Sequence, residues 1–276
     1  MSPVADHIEP RGGCVRLVQI TDTHLNRVEG GTLLGLDTDF SLQQVVDLVR
    51  RERPVIDLVL GTGDISDHGS KAAYERAAAY FSQLGAPVLW LAGNHDQAEE
   101  MAEVLGQDGK LTSSSVVGNW QIVMLNSQIP GEVGGSLGGA ELKLLERLLV
   151  TAEQRSLHSL VCLHHQPVAM GSGWIDEQMV ADHQDFLALI DRFPGVKGIL
   201  WGHVHQQLDT DRGAVKLMST PSSCIQFAPG SENFKADDQP PGYRWLDLYG
   251  DGRIETAVSR VTGVSFEVDL DSDGYF

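Results

Sequence analysis

The chain has 276 residues, 42% hydrophobic and 21% charged, a composition too apolar for disorder and ordinary for a globular protein. Lys and Arg total 20 against 38 Asp and Glu, and the formal net charge of −18 repels phosphate backbones and anionic lipid. Nucleic acid and membrane surfaces are therefore not expected partners, and no apolar run approaches the roughly 18 residues of a membrane span.

In chain order, strands are predicted over 15–21, 57–62, 87–92, 120–126, 159–163 and 196–201, and further ones over 214–219, 243–249 and 253–261. Helices are predicted between them over 41–52, 70–84, 97–105, 140–153 and 182–193. In the first helix Leu42, Val45, Val46 and Val49 recur at helical spacing behind Ser41, a candidate N-cap. Segments such as VLWLA and SLVCL are apolar throughout, as expected of strands covered on both faces. This alternation predicts an α/β architecture, read as a single domain over residues 1–276. The Pro-rich stretch 220–242 reads as either a disordered insertion or a lid. Cys14, Cys162 and Cys224 form no disulfide framework. With no secretory signal at the N-terminus, a reducing cytoplasm is the expected location.

Five of the predicted strands run apolar and then end in metal-compatible side chains. Residues 15–21 lead into Asp22-Thr23-His24, 57–62 into Gly63-Asp64, and 87–92 into Gly93-Asn94-His95-Asp96. Residues 159–163 lead into His164-His165, and 196–201 into Gly202-His203-Val204-His205. In an open α/β sheet, sites form at the carboxyl ends of strands. Each fragment alone has a plain structural reading: a turn aspartate, an exposed histidine, or a helix cap at Asn94 or Asp96. His-Val-His on a strand would put two imidazoles on one face. His164 and His165 would point oppositely, so one of them at most is expected to face a shared site. Six of the ten histidines fall in these short segments, and that clustering joins the fragments into one site.

Imidazoles and carboxylates with one amide oxygen suit Fe, Mn or Zn. Asp22, His24, Asp64, Asn94, His164, His203 and His205 are too many ligands for one ion, so two ions sharing a carboxylate are expected. Two divalent ions bring four positive charges against two from Asp22 and Asp64, giving an acidic protein a local seat for an anion.

At these residues the sequence resembles the calcineurin-like metallophosphoesterases, whose pattern is D-x-H, G-D, G-N-H-[DE], H and G-H-x-H. Over about residues 15–261 it is similar to the bacterial class III cyclic-nucleotide phosphodiesterases of the CpdA/Icc type, through QITDTHL, LLGLDT, GTGDISD, PVLWLAGNHD, LHHQPV, WGHVHQ and STPSSCIQF. The resemblance implies a four-layer α-β-β-α sandwich of two mixed sheets. It implies a first metal on Asp22, His24, Asp64 and His205, and a second on Asp64, Asn94, His164 and His203. The metals expected are Fe or Mn, with Zn compatible. It also implies that His24, Asp64, Asn94, His95 and His205 lie nearest the phosphate, with His95, Asn94 and Asp64 catalytic. The implied reaction is in-line attack of a metal-bound hydroxide that opens 3′,5′-cyclic AMP, a small-molecule substrate, to 5′-AMP. Asp96 would orient His95 or cap the next helix, and His165 would be structural. The same site could serve 2′,3′-cyclic nucleotides, glycerophosphodiesters or phosphomonoesters, or persist in a non-catalytic scaffold. Phe227, Phe234 and Tyr243 are candidates to stack on a purine. Oligomeric state is not readable.

Overall fold

The predicted strands form within two residues of their expected ends, and all but the edge strand at 254–260 feed two cores at once. The computed structural model describes residues 5–106 and 111–274, with side chains from residue 8 onward. Its first half runs β1 (Ala5–Ile8), β2 (Cys14–Ile20), β3 (Thr32–Leu33), β4 (Leu36–Asp37), α1 (Thr38–Glu52), β5 (Leu58–Thr62), α2 (Lys71–Ser82), β6 (Val88–Leu91), α3 (Ala98–Leu105), β7 (Ser114–Val117) and β8 (Trp120–Met124). There follow α4 (Gly138–Gln154), β9 (His158–Cys162), α5 (Gly173–Asp176), α6 (His183–Ile190), β10 (Val196–Trp201), β11 (Leu208–Arg212) and β12 (Val215–Ser219). The chain closes with β13 (Gln226–Phe227), β14 (Ala236–Asp237), β15 (Gly242–Tyr249) and β16 (Ile254–Arg260).

A seven-stranded sheet has the order β1-β7-β8-β9-β10-β12-β11, and a five-stranded sheet β16-β15-β2-β5-β6. Both are mixed: β2, β5 and β6 are parallel, as are β8, β9, β10 and β12, while β11, β15 and β16 run antiparallel to their neighbours. Alternate residues sort into layers. Leu17, Leu58, Leu60, Leu160, Cys162 and Leu200 enter a core shared by the two sheets. Val18, Ile20 and Val59 face outward onto Leu42, Val46 and Val49 of α1 and Ala73 and Ala77 of α2. Val161, Ile199 and Trp201 face outward onto Leu145 and Leu149 of α4 and Phe186 and Ile190 of α6. This is the four-layer α-β-β-α sandwich of two mixed sheets, and it explains why the central strands carry no polar face.

Three local expectations need correction. The cap of α1 is Asp37, whose side chain accepts from the Phe40 N–H. Ser41 sits inside the helix and donates to the Ser223 carbonyl instead. Residues 220–227 are buried and β13 pairs with β14, so this part of the 220–242 stretch is not a disordered insertion, while 228–240 are largely exposed. His203 and His205 lie beyond the end of β10, so they share a site by virtue of a turn rather than of strand alternation.

Candidate metal centre

Strands β2, β5, β6, β9 and β10 all deliver their carboxyl ends to one edge, and the loops that follow are stitched to each other. Asp22 N–H donates to the Gly63 carbonyl, and His24 and Leu25 N–H donate to those of Asp64 and Ile65. From the other sheet, Gly202 N–H reaches the His164 carbonyl and His203 N–H reaches the Asp22 carboxylate at 3.0 Å. This mesh holds an unusual backbone. Of seven non-glycine residues with positive φ among the described residues, five are Asp22, His24, Asp64, His203 and His205. A left-handed conformation costs roughly 1–2 kcal/mol per residue, which aspartate and histidine tolerate better than branched side chains do. Glycines beside them are dictated by crowding: a Cβ on Gly63, which precedes Asp64, would run into the His164 ring, and one on Gly93, which precedes Asn94, into the Asp64 carboxylate and amide.

Asp22, His24, Asp64, His164, His203 and His205 are all buried, and their donor atoms converge. His205 Nδ1 contacts the Ile225 carbonyl at 2.9 Å, so it carries the proton and Nε2 presents a lone pair. That lone pair lies 3.3 Å from His24 Nε2 and 3.4 Å from Asp22 Oδ1. His164 repeats the arrangement: Nδ1 donates to the Thr62 carbonyl, while Nε2 lies 3.1 Å from Asp64 Oδ2 and 3.2 Å from Asn94 Oδ1. His203 Nε2 is buried with no hydrogen-bond partner among the described residues. Acceptors crowded together away from water require a cation between them, either a proton or a metal ion.

The protonation tendencies say the same. Burial works against charge on His164, but the Asp64 carboxylate prevails and raises its pKa to about 9. Burial also opposes ionisation of Asp64, yet the surrounding imidazoles, His164 foremost, hold it well below the usual carboxylate range. His24 is likewise raised against burial by Asp67 and Asp64, while burial pushes His205 down and holds His203 well below its ordinary value. The donor set therefore fits a divalent ion: hard and borderline ligands, no thiolate, and imidazoles already in the ligating tautomer.

Asn94 and His95 are partly exposed at the mouth of this cluster, and the His95 side chain is 20% exposed. His95 Nδ1 donates to the Asp67 carbonyl at 2.9 Å, its backbone N–H donates to Asp64 Oδ1, and its ring stands edge-on to His24 at 4.7 Å. Asp67 also reaches His24 Nδ1 at 3.4 Å. The sequence reading missed this residue, although its place three positions after Asp64 in the same loop was the available signal. Asp96 neither orients His95 nor caps α3. Its carboxylate accepts from the N–H groups of Gly93, Ile65 and Ser66 and from the Tyr74 hydroxyl, binding the Gly-Asp loop to the Gly-Asn-His-Asp loop.

His165 lies against the cluster, its ring 4.9 Å from that of His164 and 4.6 Å from that of His203, but both of its nitrogens are engaged on the far side. Its Nε2 donates to the Val133 carbonyl, its Nδ1 meets the Ser127 hydroxyl at 2.8 Å, and burial with the nearby His164 lowers its pKa to about 3. Two of the candidate aromatics are committed to structure. Phe227 is buried and stacked on His205 with centroids 4.1 Å apart, and Tyr243 is buried with its hydroxyl on Glu52. Phe234 alone of the three lines a cleft, together with Trp174, which carried no sequence signal.

Residues 15–207 match the model of the calcineurin-like phosphoesterases, and the chain belongs to that family: a metal-dependent phosphoesterase built on this sandwich. It is 47% identical over 261 residues to the 3′,5′-cyclic adenosine monophosphate phosphodiesterase CpdA of Pseudomonas aeruginosa, covering 95% of each chain. It is 39% identical to that of Escherichia coli K12 over 263 residues, again 95% of each. These identities put it on the CpdA branch of the family. Among solved structures, a dimetal phosphatase from Danio rerio superposes with a TM-score of 0.62 at 15% identity, over 91% of this chain and 100% of that one, a likeness of fold. No helix among the described residues is long and apolar enough to cross a membrane.

Proposed function

We propose that the chain hydrolyses 3′,5′-cyclic AMP to 5′-AMP at this centre. The carrying observation is a buried cluster of acceptors that needs cations, with one partly exposed imidazole, His95, at its mouth. The 47% identity to a cyclic-AMP phosphodiesterase over nearly the whole chain supports the substrate.

In this reading Asp22, His24, Asp64 and His205 would hold one divalent ion, and Asp64, Asn94, His164 and His203 would hold a second. Iron or manganese is the assignment that this oxygen- and nitrogen-rich set favours, with zinc compatible. When bound, such a pair would supply a water of lowered pKa and neutralise charge on the phosphoryl oxygens. The chain's own residues do the rest. Asp64 keeps the centre closed, its Oδ1 held by the His95 N–H and its Oδ2 facing His164. Asn94 brings a neutral oxygen and so limits negative charge beside an anionic substrate. His95, with Nδ1 committed to the Asp67 carbonyl, uses Nε2 as general acid. Water oxygen bonds to phosphorus and gives up a proton to solvent, the P–O3′ bond breaks, the 3′-oxygen leaves with the proton from His95, and His95 is reprotonated from solvent.

The net charge of −18 argues against nucleic-acid and membrane partners, and three free cysteines fit a reducing cytoplasm. The test is product analysis with added Mn or Fe on 3′,5′-cyclic AMP, 2′,3′-cyclic AMP and an aryl phosphodiester, with Asp64→Ala as blank. Conversion of 3′,5′-cyclic AMP to 5′-AMP at the highest kcat/KM is expected. Preferential turnover of either other ester overturns the substrate assignment.

A further inference from the structure

The mouth of the centre continues into a cleft of about 350 Å³ lined by His95, Val133, Trp174, Gln178, Phe234 and Asp273. That volume is in the range of small-molecule sites, roughly 300–1,000 Å³. Trp174 and Phe234 form two walls, with centroids 5.2 Å apart and planes at 66°, and neither ring is fully buried. Val133 at the rim is 54% exposed. In a chain this acidic, an open apolar slot that shares His95 with a phosphoryl-binding centre is suited to the uncharged, flat part of a substrate whose anionic part sits on the ions.

The walls are held in place. Ser172, just before α5, accepts from the Gly230 N–H and from the Gln206 amide, joining the Trp174 turn to the hairpin that carries Phe234. Val133 is fixed by the His165 Nε2 donor to its carbonyl, and Gln128 of the same loop donates to the carbonyls of Gly93 and Asp96 on either side of His95. Phe227 stacks on His205 and meets both Trp174 and Phe234 edge-on at 5.0 and 5.5 Å, so one aromatic cluster runs from the centre to the cleft. Asp273 reaches the rim because the segment before it is pinned, the Asp269 N–H donating to the Leu34 carbonyl.

We infer that this cleft seats the purine base of the cyclic nucleotide, with Trp174 as its stacking face, Phe234 as the adjoining wall set at 66° to it, and Gln178 and Asp273 offering polar groups to the base edge. The inference rests on the cyclic-nucleotide reading above. Stacking on an aromatic side chain is sequence-tolerant and strong, and removing one such wall lowers binding roughly ten- to a hundredfold.

The experiment compares kcat/KM for 3′,5′-cyclic AMP with that for the abasic ribose 3′,5′-cyclic phosphate, in the wild type, Trp174→Ala and Trp174→Phe. Dissociation of 5′-AMP is measured in parallel by equilibrium dialysis. Trp174→Ala is expected to lower kcat/KM for cyclic AMP ten- to a hundredfold and weaken 5′-AMP by a similar factor, while turnover of the abasic ester changes less than threefold. Trp174→Phe should recover most of the loss. An equal fall on both esters, or no fall on either, overturns the base seat and leaves the cyclic-nucleotide reading standing. Failure of the wild type to cleave cyclic AMP while cleaving the abasic ester overturns that reading itself.

Discussion

The metal centre and the cleft beside it are two parts of one mouth, and they are built by opposite means. In the centre, donor side chains from four loops are buried, the backbone is left-handed at five donor residues, and glycines stand where no Cβ fits. In the cleft the walls are partly exposed rings on a four-residue helix and a short hairpin. Chemistry at phosphorus tolerates little displacement, so its donors are fixed by main chain. Choice of substrate needs only a surface of the right shape, and loops can change that surface without touching the centre.

Substitutions separate the two regions. Asp64→Ala deletes the group shared by both proposed ions, so turnover should fall more than about a thousandfold and bound metal, counted by elemental analysis, should drop below one ion per chain. Retention of two ions would refute the bridging role. His95→Ala should keep both ions and lose roughly a hundred- to ten-thousandfold in kcat, the usual contribution of a positioned general acid. Loss of metal in that variant would move His95 from catalyst to ligand.

Metal affinity should also follow pH. Because the His164 pKa is raised to about 9, its proton stabilises the metal-free fold fully below about pH 6.5, and that stabilisation is lost as pH rises through 9. A divalent ion competes with that proton, so its Kd should fall up to about tenfold per pH unit between 7 and 9 and then level off. Titration calorimetry with Mn at three pH values checks this, and a flat profile removes His164 from the ligand set.

Smaller effects probe the supports. Asp96→Ala leaves three buried N–H groups and a phenol without their acceptor, which should cost about 2–4 kcal/mol of stability, read from denaturant unfolding. At the cleft, Gln178→Ala should raise KM for cyclic AMP less than about tenfold and leave kcat unchanged. A change in kcat there would mean that the two regions are not separable.

The centre was legible in the sequence for a physical reason. Its donors are chemically unlike the apolar strands they terminate, and they follow the last strand residue within a few positions, as His164 follows Cys162. The strands themselves were legible because both faces are covered. The missed elements lack such contrast: β11 reads LDTDR and is an exposed edge, and β7 and α5 are four residues each. Asp67 looked like one more turn aspartate, and Trp174 stands in a segment with no periodicity. Phe227 and Tyr243 show the opposite error, since composition cannot distinguish an aromatic facing a ligand from one packed behind it.

One property of the centre bears on how the molecule is maintained. His24 and His205 meet although they stand 181 positions apart, and the three free cysteines leave no disulfide to close so long a loop. Ions held by these residues, as proposed, would act as a reversible staple, joining the two sheets at their carboxyl edges and opposing the entropy of a loop whose closure would otherwise depend on packing alone. On that assignment chelation would take away structural tenacity along with turnover.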